Sequence, residues 1–240
     1  MDLRHADLAD LDSVRAFAAT VTHADVLINN AGVMDPPTRR SAQGHEIQFA
    51  VNHLAHFALT GLLLDRLTDR VVTVTSVLHK KGRIDFADLG AGLYNGSKLA
   101  NALFALELHR RLTAAASPVR SLMAHPGYAA TGLQAAMRPS LNRLILTKLG
   151  NRLLAVPAAQ GARPTLHAAT SPTATSGRLI GPGGPGELRG APTELRPAPA
   201  ALDPQTATRL WTVSEEITGV RFPLPQPDGD DNPEIAGFPT

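Results

Sequence analysis

The 240-residue chain contains no cysteine, so disulfides and thiolate chemistry are excluded. That composition fits a reducing, cytoplasmic setting. No run approaches eighteen uncharged apolar residues, so no membrane span is expected. The start lacks the basic-then-apolar pattern of a secretory signal. There is no basic stripe: 23 Lys and Arg are scattered against 21 Asp and Glu, for a net charge of +2, and nucleic acid is not an expected partner. No His, Asp and Glu cluster has metal-ligand spacing, so no metal is expected. No internal repeat is visible. The length suits one domain with a substantial core.

What is present is an alternation of short apolar runs and helical periodicities. Residues 3–8 read as a short strand. Asp10 or Asp12 can cap a helix to about Thr20, with Leu11, Val14, Phe17 and Ala18 on one face. Residues 26–30 form a continuous apolar run, as in a parallel strand buried on both faces. Ser41 can cap a long helix through Ile47, Val51, Leu54, Phe57 and Leu62. Residues 70–76 read as the next strand and 79–93 as a loop broken by Gly82, Gly90 and Gly92. A helix is predicted from Tyr94 to about Ala116, with Leu99, Leu103, Leu106 and Leu112 inward. Residues 119–124 and 177–180 read as strands, and 138–154 and 158–169 as helices. Residues 181–186, Gly-Pro-Gly-Gly-Pro-Gly, read as a surface loop, because proline removes N–H donors and blocks helix entry. The alternation predicts an α/β fold with a parallel sheet. Residues 1–222 form the domain, and 223–240 a mobile tail.

Tyr94 and Lys98, in Tyr94-Asn95-Gly96-Ser97-Lys98, stand four apart on one helix face. An ammonium beside a phenol favours the phenolate, so the Tyr94 pKa is expected to fall. Such a tyrosine can exchange a proton near neutral pH. The pair has company in order along the chain. Asn29-Asn30-Ala31-Gly32 ends one apolar strand, Asn52 sits in a helix, Ser76 ends a second strand, and Pro126-Gly127 ends a third with Thr131 soon after.

This ordered set resembles the short-chain dehydrogenase/reductase family. Val51-Asn52-His53-Leu54-Ala55-His56-Phe57, Ser97-Lys98-Leu99-Ala100-Asn101, His125-Pro126-Gly127-Tyr128 and the helical stretch 210–216 are similar to its retinol-dehydrogenase and protochlorophyllide-reductase-like branch. The resemblance implies a Rossmann-type doubly wound parallel sheet. It implies hydride transfer between a nicotinamide cofactor, NADP or NAD with a lean to NADP, and a small-molecule carbonyl or alcohol. Tyr94 would be the general acid/base. Lys98 would lower the Tyr94 pKa and hold the nicotinamide ribose. Ser76 would polarise the substrate oxygen, with its neighbour Thr75 sent to the other face by strand alternation. Asn52 would hold a relay water. Asn30, Ala31 and Gly32 would line the ribose, and Pro126, Gly127 and Thr131 would meet the nicotinamide end. Asp7 and Leu8 match an adenine-contacting pair. The helices over 41–65 and 94–116 match a pair that can build a homodimer. His53, His56 and His125 read as packing or hydrogen-bonded core residues.

One part of the pattern is not in the sequence. The family opens with a strand, a Gly-rich turn and a helix that hold the cofactor pyrophosphate. Here the opening residues resemble the family's third strand. The expectation is an N-terminally truncated fold lacking the first two strands, with residues 26–30 as an open edge. Either the start is placed too late or the gene is truncated. The alternatives to the oxidoreductase are a non-enzymatic remnant deficient in cofactor binding, and a cofactor-independent lyase or epimerase using Tyr94 and Lys98. Two departures stand out. The 79–93 loop is short, and Gly96 lies inside the Tyr94 helix at a cost of about 1 kcal/mol against Ala.

Overall fold

The computed structural model describes residues 2–128 and 156–224. A five-stranded sheet forms its centre, with strands in sequential order. β1 (Ala24–Asn29), β2 (Leu67–Val74), β3 (Arg120–Ala124) and β4 (Leu179–Pro182) are parallel. β5 (Pro192–Leu195) closes one side antiparallel to β4. The helices are α1 (Leu11–Ala19), α2 (Ile47–Phe49), α3 (Ala55–Leu63), α4 (Leu93–Ala114), α5 (Ala158–Gly161), α6 (Arg163–Thr170) and α7 (Pro204–Thr218). A π-helical turn, Ala50–Leu54, joins α2 to α3 without a break.

Both faces of the sheet are covered, and strand alternation decides which side chain serves which face. Val71 packs beneath α1, α3 and α4, and Met123 and Leu179 lie under α4 and α7. Their neighbours Val72, Leu122, Ala124 and Ile180 point the other way, onto Ala168 and Ala169 of α6. This is the Rossmann-type arrangement expected from the sequence.

α7 lies across α3 and α4. Trp211 meets Phe57, Phe104 and Phe222 at ring-centroid distances of 5.2, 5.8 and 4.4 Å. The Arg111 guanidinium stacks on Trp211 at 4.3 Å. His53 Nε2 and the Ser214 hydroxyl are hydrogen-bonded at 2.9 Å. Arg111 and Arg110 both pair with Glu107, which is fully buried. These contacts set α7 of the same chain against the two helices that match the expected dimer pair.

Other expectations need correction. Residues 3–8 are not a strand, since no neighbouring strand among the described residues offers them a ladder. They run as open chain into the turn that starts α1, where Asp10 is the cap and accepts from Asp12 N. The second helical run begins at Ile47 rather than at Ser41. Glu46 caps it, accepting from Phe49 N at 2.8 Å, while Ser41 Oγ accepts from His45 N at 3.1 Å in the preceding turn. The helix expected over 158–169 is two pieces, parted at Ala162 ahead of Pro164. Gly181 and Pro182 are strand residues of β4, so the surface turn starts only at Gly183. β5 is an addition to the strands expected from the sequence. The segment Ile47–Arg66 is long and apolar enough to cross a membrane, yet it is 94% buried inside the fold and serves as core. The helix expected over 138–154, Thr131 and residues 225–240 of the expected tail lie outside the described residues.

β1 pairs with β2 alone among the described residues, so its other side is an edge. Ile28 on that edge is 40% exposed.

Candidate active site

The C-terminal ends of β1, β2 and β3 open into a cleft of about 790 Å³. Asn30, Ala31 and Gly32 form one wall, Val74, Thr75, Tyr94 and Lys98 the floor, and Pro126 the far side. Ile28 and Leu166 close it only loosely at the β1 edge, where both are exposed. Ligands of open α/β sheets bind at this end of the strands.

Lys98 is buried and its Nζ donates to the Val74 carbonyl at 3.2 Å. Burial lowers its pKa to about 8. The Nζ stands 5.7 Å from the centre of the Tyr94 ring. The Tyr94 hydroxyl does not shift in the expected direction. Burial pushes it above the usual tyrosine value, and the Ser76 hydroxyl pulls weakly the other way. The reason is geometric: the ammonium faces a backbone carbonyl, while desolvation penalises the phenolate directly.

Thr75 lies on the α4 side of the sheet, in step with Val71 as strand alternation predicts, and its hydroxyl donates to the Lys98 carbonyl at 2.7 Å. Ser76 begins a 3-10 turn (Val77–Lys81), its Oγ accepting from Leu78 N at 3.2 Å.

Asn52 sits in the π turn, where the Ala55 N–H reaches back five residues to the Ala50 carbonyl. Such widened turns recur at functional sites. Its Oδ1 accepts from Val33 N at 2.7 Å, and its Nδ2 donates to Val33 O at 3.0 Å and to Ser97 Oγ at 2.9 Å. Ser97 Oγ in turn donates to the Tyr94 carbonyl at 2.8 Å. Asn52 is therefore a latch between the turn after β1 and the helix of Tyr94. A side chain on Gly32 would come 3.1 Å from Asn52 Oδ1 and 3.4 Å from Lys98 Nζ.

Gly127 has φ +71°, and a Cβ there would lie 2.4 Å from the Leu188 carbonyl. His125 Nδ1 accepts from Gly127 N at 3.2 Å, and Nε2 faces Glu187 at 3.2 Å. His125 thus shapes the Pro126–Gly127 turn rather than merely filling space. Gly96 also has a reason that the sequence hid. A Cβ at 96 would lie 2.9 Å from the Arg83 carbonyl, so the short 79–93 loop packs directly on the helix backbone. Asp7 and Leu8 are not in the cleft. Asp7 accepts from Ala9 N at 2.9 Å in the turn before α1, and Leu8 packs on the core. Ala158, Gly161, Ala162 and Thr165 complete the cleft and were missed, since small residues at a helix start carry little signal.

The family model for short chain dehydrogenases matches residues 1–142, more than half of the chain. The chain belongs to the short-chain dehydrogenase family. Its members are NAD(P)-dependent oxidoreductases. Mouse retinol dehydrogenase 14 is 38% identical over 236 residues, covering 91% of this chain and 67% of that protein. Human retinol dehydrogenase 13 is 45% identical over 149 residues, which is 55% of this chain and 44% of that protein's length. Among solved structures, an uncharacterised protein from Mycobacterium paratuberculosis is 44% identical, with a TM-score of 0.77 over 93% of this chain and 77% of that one. The NADP complex of Pseudomonas aeruginosa RhlG shares the fold at 20% identity, with a TM-score of 0.53 over 72% of each chain.

Proposed function

We propose that this short-chain dehydrogenase interconverts a carbonyl and an alcohol, with Tyr94 as the general acid/base. The observation that carries the reading is the convergence of Tyr94, Lys98 and the Asn30-Ala31-Gly32 wall on one cleft. A nicotinamide cofactor fits there: the wall beside Lys98 has no Cβ at Gly32, which leaves room for a ribose against the ammonium. When bound, the cofactor supplies or accepts the hydride.

The protein's part is proton handling and alignment. Tyr94 gives its phenolic proton to the substrate oxygen in reduction and takes it back in oxidation. Ser76 donates a hydrogen bond to the same oxygen and stabilises the charge that develops there. Lys98 holds the ribose. Asn52 fixes Tyr94 through Ser97. Pro126 and Gly127 meet the nicotinamide end. NADP is the first cofactor to try and NAD the second.

The relatives are named for retinol, so retinol and retinal are the first substrate pair to try. The apolar segment Ile47–Arg66 is used as core, and the proposed location is the cytoplasm, which fractionation with a salt wash of membranes tests.

One observation favours a second reading, a relative that no longer binds cofactor. The dense glycine stretch at 181–186 ends β4 and no Gly-rich turn adjoins β1, so the pyrophosphate has no cradle among these residues. Titration with NADPH and NADH, followed by turnover of retinal, decides between them. Binding with turnover that Tyr94→Phe lowers by about 10²–10⁴-fold supports the enzyme. Binding with Tyr94→Phe turnover intact removes Tyr94 from the reaction. Absence of binding favours the second reading.

A further inference from the structure

Ser76 stands at the last residue before a tight turn, where backbone freedom is high, yet its hydroxyl must be aimed. One side chain restrains it. The His79 imidazole is fully buried, and its Nδ1 is 2.6 Å from the Ser76 carbonyl oxygen. Its Nε2 accepts the Ala198 N–H at 3.0 Å. A backbone N–H cannot accept, so Nε2 must present a lone pair. The ring proton is therefore on Nδ1, which donates to Ser76. The same carbonyl also receives the His79 backbone N–H at 2.9 Å. The tautomer is fixed by main-chain groups, and both ring nitrogens are satisfied.

The ring bridges the end of β2 to residue 198, which precedes the 3-10 turn Pro199–Leu202 that leads into α7. Lys80 and His125 both pair with Glu187, which joins the 77–81 turn to the Pro126–Gly127 turn. Burial disfavours a charged His79. The Ser76 Oγ already accepts from Leu78 N, which leaves its hydrogen free to point toward Tyr94 and a substrate oxygen.

We propose that His79 is a positioning residue for Ser76: by clamping the Ser76 carbonyl between α7's approach and the 77–81 turn, it aims the Ser76 hydroxyl at Tyr94. The alternative is a histidine that only fills the core. The proposal rests on the oxidoreductase reading for its kinetic arm, but a second arm needs no turnover. The chain has only two tyrosines, Tyr94 and Tyr128, so ¹³Cζ-tyrosine labelling gives two resonances, and Tyr128→Phe assigns them.

Ser76→Ala is expected to move the Tyr94 resonance. His79→Leu should move it in the same direction and add nothing in the Ser76→Ala background. In turnover, His79→Leu should lower kcat about ten- to a hundredfold with KM changed less than about twofold, again without adding to Ser76→Ala. His79→Asn, whose amide N–H can take the Nδ1 place, should recover more than His79→Gln, which can mimic only the other nitrogen. These two comparisons stand even if His79→Leu fails to fold. A Tyr94 resonance unmoved by His79 variants, effects that multiply with Ser76→Ala, or Gln equal to or better than Asn would overturn the proposal. A wild-type chain without turnover would instead sink the oxidoreductase reading, and the resonance arm would still decide His79.

Discussion

The Asn52 amide donates to the Ser97 hydroxyl at 2.9 Å, and this contact ties the turn after β1 to the helix that carries Tyr94 and Lys98. Ser97 passes the bond on to the Tyr94 carbonyl, so the link reaches the start of that helix.

Asn52→Leu should therefore do double harm. It removes the partner of the Val33 N–H and carbonyl in a half-buried place, at about 1–3 kcal/mol for each group left unpaired, and leaves Ser97 only its bond to the Tyr94 carbonyl. It also frees the Tyr94 helix start, so turnover should fall further than lost stability explains at a temperature where the variant is folded. Urea unfolding beside kcat checks this. Unchanged kcat in a destabilised variant would confine Asn52 to the fold.

Gly96→Ala opposes helix propensity to packing. Propensity alone favours alanine by about 1 kcal/mol. The Cβ would sit 2.9 Å from the Arg83 carbonyl, and that atom is backbone, which yields little. The expected outcome is net destabilisation of about 1–3 kcal/mol, seen as a lower urea midpoint. A stabilised variant would mean that the 79–93 loop moves aside.

Lys98 should impose a pH limit on cofactor binding. With its pKa lowered to about 8 by burial, it is an ammonium below that pH and loses its proton above it. NADPH affinity is expected to level off below pH 8 and to decline from pH 8 to 10. Lys98→Met should bind weakly with a flat profile over the same range. A parallel decline in the variant would assign the titration to another group.

Stability should fall in mild acid. Burial lowers the pKa of His53 to about 3 and of His56 to about 4, against 6.5 for the free side chain. Both rings are neutral in the folded protein, so the unfolded chain binds more protons below pH 6.5. Their contribution is fully present above 6.5 and is lost as the pH falls toward the folded values. The two together give a slope of about 2.5 kcal/mol per pH unit around pH 5. Urea midpoints at pH 7.5 and 5 test it, and equal midpoints would mean that these histidines are hydrated.

Much of this was legible beforehand because apolar runs and their period are local. The apolar runs at 26–30, 70–76 and 119–124 became β1, β2 and β3 within a few residues, although β1 is a half-exposed edge rather than a strand buried on both faces, and Tyr94 with Lys98 opened a long helix as their spacing required. What the sequence hid depends on long-range partners. Residues 3–8 have strand composition, but pairing decides whether a strand forms. Residues 192–195 start with proline and carry Glu194, a weak strand pattern, and become β5 only because β4 is beside them. The Tyr94 shift followed burial rather than the neighbouring lysine, and burial is a property of the whole fold. His79 carried no sequence signal beyond its nearness to Ser76, since its second partner is 119 residues away.

The covering of α4 by α7 has a consequence in time. The two elements end at residues 114 and 218, so at a synthesis rate of about 5–20 residues per second roughly 5–20 s separate their emergence. Through that interval the nascent chain displays Phe57, Phe104 and the Glu107–Arg111 pair with no Trp211 to close over them. A ribosome stalled before α7 would hold out a surface suited to chaperones rather than to substrate.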